Sequence, residues 1–240
     1  MERNRPSAAA GDAGRIAPVY RAVMTAAGPV VRWWGRLEVT GLDLLPAHGA
    51  TIVPANHDSA WDPVVIAFAA RRRRQIQALA KASLWKNPLL RRVLDGMRQI
   101  PVRRGEADTD ALDAAVRCLS DGGCLGIFPE GSRSQGRQLR ARSGAGRLAH
   151  AVPQARIVCA AVSGTVDIAR FPRLRDRAVF VGNPGDIVPD RFGPGLPAIR
   201  DWTQAHYDFA GYVTGFDPGE VADLEALRSE LGYHADERVC

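Results

Sequence analysis

Short apolar runs of strand length recur along this 240-residue chain, at residues 51–55, 76–80, 99–102, 124–128, 157–162 and 178–182, with helical patterns between most of them. Strands alternating with helices predict an α/β fold, a mixed, largely parallel sheet flanked by helices that cover both faces. The clearest helix is 108–119, where Ala111, Leu112, Ala115, Val116 and Leu119 share one face. Residues 143–151 predict another. A third spans 61–70, starting at Pro63 and closing on the arginines 71–74, whose charge suits a helix C-terminus. Those arginines read as a solvated helix end, with contact to an anionic leaflet as the functional alternative. Residues 36–40 alternate as a half-buried strand.

The two ends differ from the middle. Residues 1–15 are polar and rich in small side chains, which predicts disorder, and 18–34 predict a helix interrupted near Gly28-Pro29. The segment Arg32-Trp33-Trp34-Gly35-Arg36 suits the headgroup zone of a bilayer, or equally a helix packed on the body through its tryptophans. Beyond Gly182 the chain is rich in Gly, Pro and Asp, then predicts acidic helices at 198–212 and 217–231. The expected division is therefore a tail and membrane-interface helix at 1–35, a main domain at 36–190, and an acidic helical tail at 191–240 packing on it.

With 46% hydrophobic and 24% charged residues the chain has an ample core, and disorder throughout is excluded. Cys118, Cys124, Cys159 and Cys240 follow no zinc or disulfide spacing, which implies a reducing compartment and no structural metal. The net charge of +6 conceals an asymmetry. Residues 1–200 hold 30 Lys+Arg against 17 Asp+Glu, and residues 201–240 hold 2 against 9. A basic body suits a polyanion, an anionic bilayer or a phosphorylated substrate. No apolar run reaches 18 residues and no secretory signal is evident, so a cytoplasmic protein on the inner face of the membrane is expected.

Two clusters carry chemistry. In the first, Asn56-His57-Asp58-Ser59-Ala60-Trp61-Asp62-Pro63, a histidine follows a strand and a carboxylate returns five residues later from the first turn of a helix. A neutral imidazole there takes a proton from an attacking hydroxyl, and Asp62 holds its other nitrogen. By spacing alone this is also common surface or capping chemistry, and Asp58 competes as the partner. In the second, Phe128-Pro129-Glu130-Gly131-Ser132-Arg133-Ser134, a strand ends in a turn whose amides and guanidinium suit a phosphate. Its bland reading is a tight turn in which Glu130 pairs with Arg133.

Taken together, the two clusters resemble those of the glycerolipid acyltransferase family, whose best-known members are 1-acylglycerol-3-phosphate acyltransferases. Ile100-Pro101-Val102-Arg103-Arg104-Gly105 resembles that family's second block, and residues 157–164 its fourth. The resemblance covers roughly residues 36–185 and makes the main domain an acyltransferase domain. It implies His57 as general base and Asp62 as its orienter, with Arg104, Glu130, Gly131, Ser132 and Arg133 binding the acceptor's phosphate. Asn56, Lys81 and Arg103 join this set; Lys81 reads equally as a solvated strand end. Ser143-Gly144 resembles the family's Lys-Gly segment without the lysine, and Arg142 stands one position earlier as a substitute charge. His48, His150, His206 and His234 lie in no constellation.

The implied reaction moves a fatty acyl group from acyl-CoA or acyl-acyl-carrier protein to the free hydroxyl of a membrane lysophospholipid, lysophosphatidic acid foremost or another lysolipid or specialised polar lipid. It belongs to phospholipid biosynthesis and needs no cofactor or metal. Two other classes compete. A thioesterase or lipid hydrolase would direct the same His and Asp at water, though no Gly-x-Ser-x-Gly nucleophile elbow is present. A non-catalytic binder of anionic lipid or nucleic acid would account for the basic body, but interleaved aromatics of an RNA-stacking platform are absent. No nucleic acid is expected.

Overall fold

Strand β2 (Thr51–Pro54) is buried at every position, which explains why its sequence runs continuously apolar rather than alternating. A computed structural model describes residues 15–103, 108–134, 139, 141–165 and 177–182 and places β2 inside a seven-stranded sheet. The other strands are β1 (Glu38–Thr40), β3 (Gln77–Lys81), β4 (Ile100–Val102), β5 (Cys124–Ile127), β6 (Arg156–Ser163) and β7 (Arg177–Gly182). They run in the order β1-β7-β6-β2-β5-β3-β4. Five strands, from β6 to β4, are mutually parallel; β7 is antiparallel to β6, and β1 runs parallel to β7 at the edge.

The sheet separates two cores. Ile52, Leu125, Ile157, Cys159 and Ala161 face helices α4 (Thr109–Ser120) and α5 (Gly144–Ala151). Their neighbours Val53, Cys124, Val158, Ala160 and Val162 face α1 (Pro18–Pro29) and α2 (Asp62–Ala70). Successive residues of one strand thus serve opposite cores, as a period of two requires. Helix α3 (Pro88–Gly96), reached from β3 through a 3₁₀ turn at Ala82–Lys86, buries none of its nine residues.

This topology places the functional loops. The connection leaving β2 passes through α2 to β3 on one side, whereas that leaving β5 passes through α5 to β6 on the other. Because β2 and β5 are adjacent and parallel, both loops start at one edge of the sheet and depart over opposite faces. Open α/β sheets carry their sites at such a switch point.

Four expectations need correction. Residues 18–34 are not interrupted at Gly28-Pro29. The helix continues through Pro29 and widens into a π-helical turn at Val30–Trp34, closed by a bond from Gly35 N to Val30 O of 2.7 Å. The tryptophans do not pack that helix on the body, since Trp33 is 79% and Trp34 48% exposed; Tyr20, Met24 and Val31 make the contact instead. Third, the arginines 71–74 are not simply solvated. Arg74 is buried and donates to the carbonyls of Pro46, Gly49 and Gly122 and to the Thr51 hydroxyl. Arg73 bonds the carbonyls of Leu45 and Asp43, and the Arg71 guanidinium lies 3.6 Å over the Phe68 ring. Arg72 is exposed, as expected of a solvated helix end. The edge strand β1 also differs, for Val39 faces solvent where alternation predicts burial. The expected disorder of 1–15, apart from the described Arg15, and the acidic helices at 198–212 and 217–231 lie outside the described residues.

Candidate active site

The chain leaving β2 is fixed residue by residue. Ala55 donates to the Ile127 carbonyl (3.0 Å), which continues the pairing with β5. Asn56 then turns its side-chain amide to β6, donating to Val162 O and accepting from Val162 N, both at 2.8 Å, so that a side chain replaces one rung of the ladder. His57 follows, almost fully buried, with its ring stacked on Phe128 at 4.2 Å between centroids and 25° between planes.

The ring meets Asp62 on the first turn of α2, with Nδ1 3.0 Å from Oδ2. Asp62 is wholly buried, a state that a carboxylate tolerates only when donors surround it. The Ser59 amide donates to Oδ2 at 2.8 Å and the Thr165 hydroxyl donates to Oδ1. An ionised Asp62 accepting from three sides favours the tautomer with the ring proton on Nδ1, an arrangement that would leave the Nε2 lone pair open to a proton.

The second cluster meets the first through the backbone of His57. Glu130, buried near the start of the loop after β5, accepts from His57 N at 2.8 Å, and Ser134 N donates to His57 O at 2.7 Å. Both polar groups of the His57 main chain are therefore held by a segment more than seventy residues away. Glu130 faces inward, and its Oε1 gives the His57 backbone an acceptor, a positioning contact alongside the phosphate role expected of it. Gly131 has φ +70°, and a Cβ there would lie 2.7 Å from Arg142 Nε; only glycine allows the Arg142 side chain to lie across this turn. Ser132 and Arg133 are exposed, and Arg142 donates its backbone N–H to Pro129 O at 2.8 Å.

The remaining candidates are scattered. Lys81 ends β3 at the same edge of the sheet, exposed. Arg103 is held by Asp108 and Asp110 at 3.4 and 3.3 Å, at the start of α4. The backbone N–H of Arg103, at 2.7 Å, is the main cause that holds the Asp108 carboxyl below the usual aspartate range. Arg104 lies outside the described residues. Among the described residues no group of three or more His, Cys, Asp or Glu could hold a metal ion, and no helix is long and apolar enough to cross a membrane.

A family model described as acyltransferase matches residues 36–163, more than half of the chain. The chain belongs to the acyltransferase family. Two relatives are 1-acyl-sn-glycerol-3-phosphate acyltransferases, one from Borreliella burgdorferi, 33% identical over 44% of this chain and 42% of its own length. The other, from Bacillus subtilis, is 25% identical over 48% of this chain and 58% of its own length. This acyltransferase-family chain thus spans about half the length of the curated relatives it matches. The crystal structure of the 1-acyl-sn-glycerophosphate acyltransferase from Thermotoga maritima shares the fold, with a TM-score of 0.56 over 86% of this chain and 81% of that one at 19% identity.

Within this acyltransferase-family site, three groups escape sequence reasoning: the Thr165 hydroxyl, the Ser59 amide and the Phe128 ring. Thr165 lies just past the end of β6 and meets Asp62 across 103 residues of sequence, a distance that spacing rules do not bridge. Phe128 was visible as the last apolar residue before Pro129, but nothing in its neighbours announces a histidine as its partner.

Proposed function

We propose that this protein is an O-acyltransferase that moves a fatty acyl group from acyl-CoA or acyl-acyl-carrier protein to the free hydroxyl of a lysophospholipid, 1-acylglycerol-3-phosphate, giving phosphatidic acid. The observation that carries the reading is the His57–Asp62 pair, whose Nδ1–Oδ2 contact supports Nε2 as the base. Among the described residues no side chain of the protein bonds that nitrogen as a nucleophile, and a substrate hydroxyl takes that place. Nε2 accepts the hydroxyl proton as the oxygen attacks the thioester carbonyl. The tetrahedral intermediate collapses, the C–S bond breaks, and the imidazolium returns its proton to the leaving thiolate. Asp62 stabilises the imidazolium between these steps, and no metal or cofactor takes part.

The exposed Arg133, with Arg142 across Gly131, offers the phosphate of the acceptor two guanidinium groups beside the turn. The exposed Trp33 and Trp34 between Arg32 and Arg36 support residues 30–36 as a contact with the inner face of the membrane, where both acceptor and product reside.

The test is turnover of labelled acyl-CoA and acyl-acyl-carrier protein with a panel of lysolipids. Acylated lysophosphatidic acid is the expected product, and His57→Ala should lower kcat by about 10² to 10⁴-fold with the fold intact. Release of free fatty acid in place of an acylated lipid would establish a thioesterase, and acylation of another lysolipid alone would reassign the acceptor.

A further inference from the structure

Helix α3 and the 3₁₀ turn before it present an amphipathic surface that the catalytic reading does not use. None of the nine residues of α3 is buried; Leu89 is 71% exposed, and Leu90 and, in the turn, Leu84 are exposed as well. These leucines are not displayed by a fraying end. Asn87 caps the helix, its side-chain oxygen accepting from Leu89 N at 2.9 Å and Leu90 N at 3.1 Å, and Pro88 fixes the first turn. The first turn is thus rigid and holds apolar side chains towards solvent.

The charges beside them have one sign. Residues 81–94 hold two lysines, the only two in the chain, and two arginines, with no acid. Asp95, just beyond, is engaged by Arg91 at 3.6 Å and by Trp85 Nε1 at 2.8 Å. Leucines interleaved with long cationic side chains suit one medium in particular. The leucines enter an acyl layer while Lys86 and Arg92 extend along it to the phosphates. A second copy of this chain is a poor occupant, since a symmetric contact would bring these cations against their own equivalents.

We propose that the outward face of the Ala82–Lys86 turn and helix α3 docks on an anionic lipid bilayer. The turn leaves β3 at the edge of the sheet where His57 follows β2 and Glu130 follows β5, so the docked surface adjoins the catalytic edge. The inference goes beyond the acyl-transfer reading, and its test does not require turnover.

Full-length protein is sedimented with large vesicles of equal parts phosphatidylcholine and phosphatidylglycerol, and with phosphatidylcholine alone. Binding is expected on the anionic vesicles and should weaken with salt. Leu89→Ser with Leu90→Ser, and separately Lys86→Gln with Arg92→Gln, should each lower the partition coefficient about ten-fold or more. Melting temperatures should stay unchanged, because these side chains are exposed. The charge variant keeps the test decisive if the leucine variant folds poorly. Vesicle binding that survives both changes, or is lost only in Trp33→Ser with Trp34→Ser, would overturn the assignment. So would a full chain that binds no vesicles, the outcome expected if the acidic segment 201–240 occupies this surface.

Discussion

Glu130 holds His57 through that residue's main chain. Its Oε1 accepts the backbone N–H of His57 at 2.8 Å, and Ser134 N holds the carbonyl of the same residue. The imidazole is thereby located by its own main chain as well as by Asp62. Glu130→Gln keeps an oxygen acceptor and should retain kcat within a few-fold, whereas Glu130→Ala releases the His57 amide and should lower kcat by about 10 to 100-fold. The Michaelis constant for the phosphorylated acceptor separates positioning from substrate binding. A positioning role leaves it little changed in both variants; a rise in that constant with kcat preserved would restore Glu130 as a phosphate ligand. Thr165 acts one bond further out. Thr165→Val removes a donor from the buried Asp62 and should reduce kcat about ten-fold, while Thr165→Ser restores it. Recovery in the serine variant distinguishes loss of the hydroxyl from loss of packing.

At the scale of elements, Arg74 joins pieces that no strand pairing connects. One guanidinium bonds Pro46 and Thr51, and also Gly49 and Gly122, so it ties the end of α2 to the entry of β2 and to the turn before β5. Arg74→Ala strands buried carbonyls and should destabilise the fold by about 3 kcal/mol in urea denaturation. Arg74→Lys should recover only part, since a single ammonium cannot span the same fork of acceptors. Such a residue explains where sequence reasoning stops. Strands β2 to β7 and helices α2, α4 and α5 were legible within one or two residues, because apolar period and turn chemistry are local. The His57–Asp62 pair was legible for the same reason. Arg74 was read as solvated, because a run of four arginines looks alike from one member to the next. The anchors of the site join residues 73, 103 and 106 apart, and only the folded chain brings these together. Helix α3 went unread although Leu89, Leu90, Val93 and Leu94 recur at helical spacing; the structure buries none of them.

For the molecule as a whole, the sheet is the wall common to both cores, and the cysteines report on each side of it. Cys124 faces the α1/α2 core, Cys159 faces the α4/α5 core, and Cys118 packs against the latter. Burial pushes the thiols of Cys124 and Cys159 up to about 12 and that of Cys118 to about 11, from an ordinary value of 9.0. The unfolded chain therefore loses these protons first as the solution becomes alkaline. Between pH 9 and 12 it binds fewer protons than the native chain, so stability is complete below pH 9 and falls as pH rises towards 12. The buried Tyr20, also shifted upward by desolvation, adds to the same fall. The urea midpoint should hold steady from pH 7 to about 8.5 and decline above it. Pulse alkylation at pH 8 should leave Cys124 and Cys159 unmodified in the native protein and expose both at one urea midpoint. Two separate midpoints would mean that the cores open independently, and the shared sheet would then not be the cooperative unit.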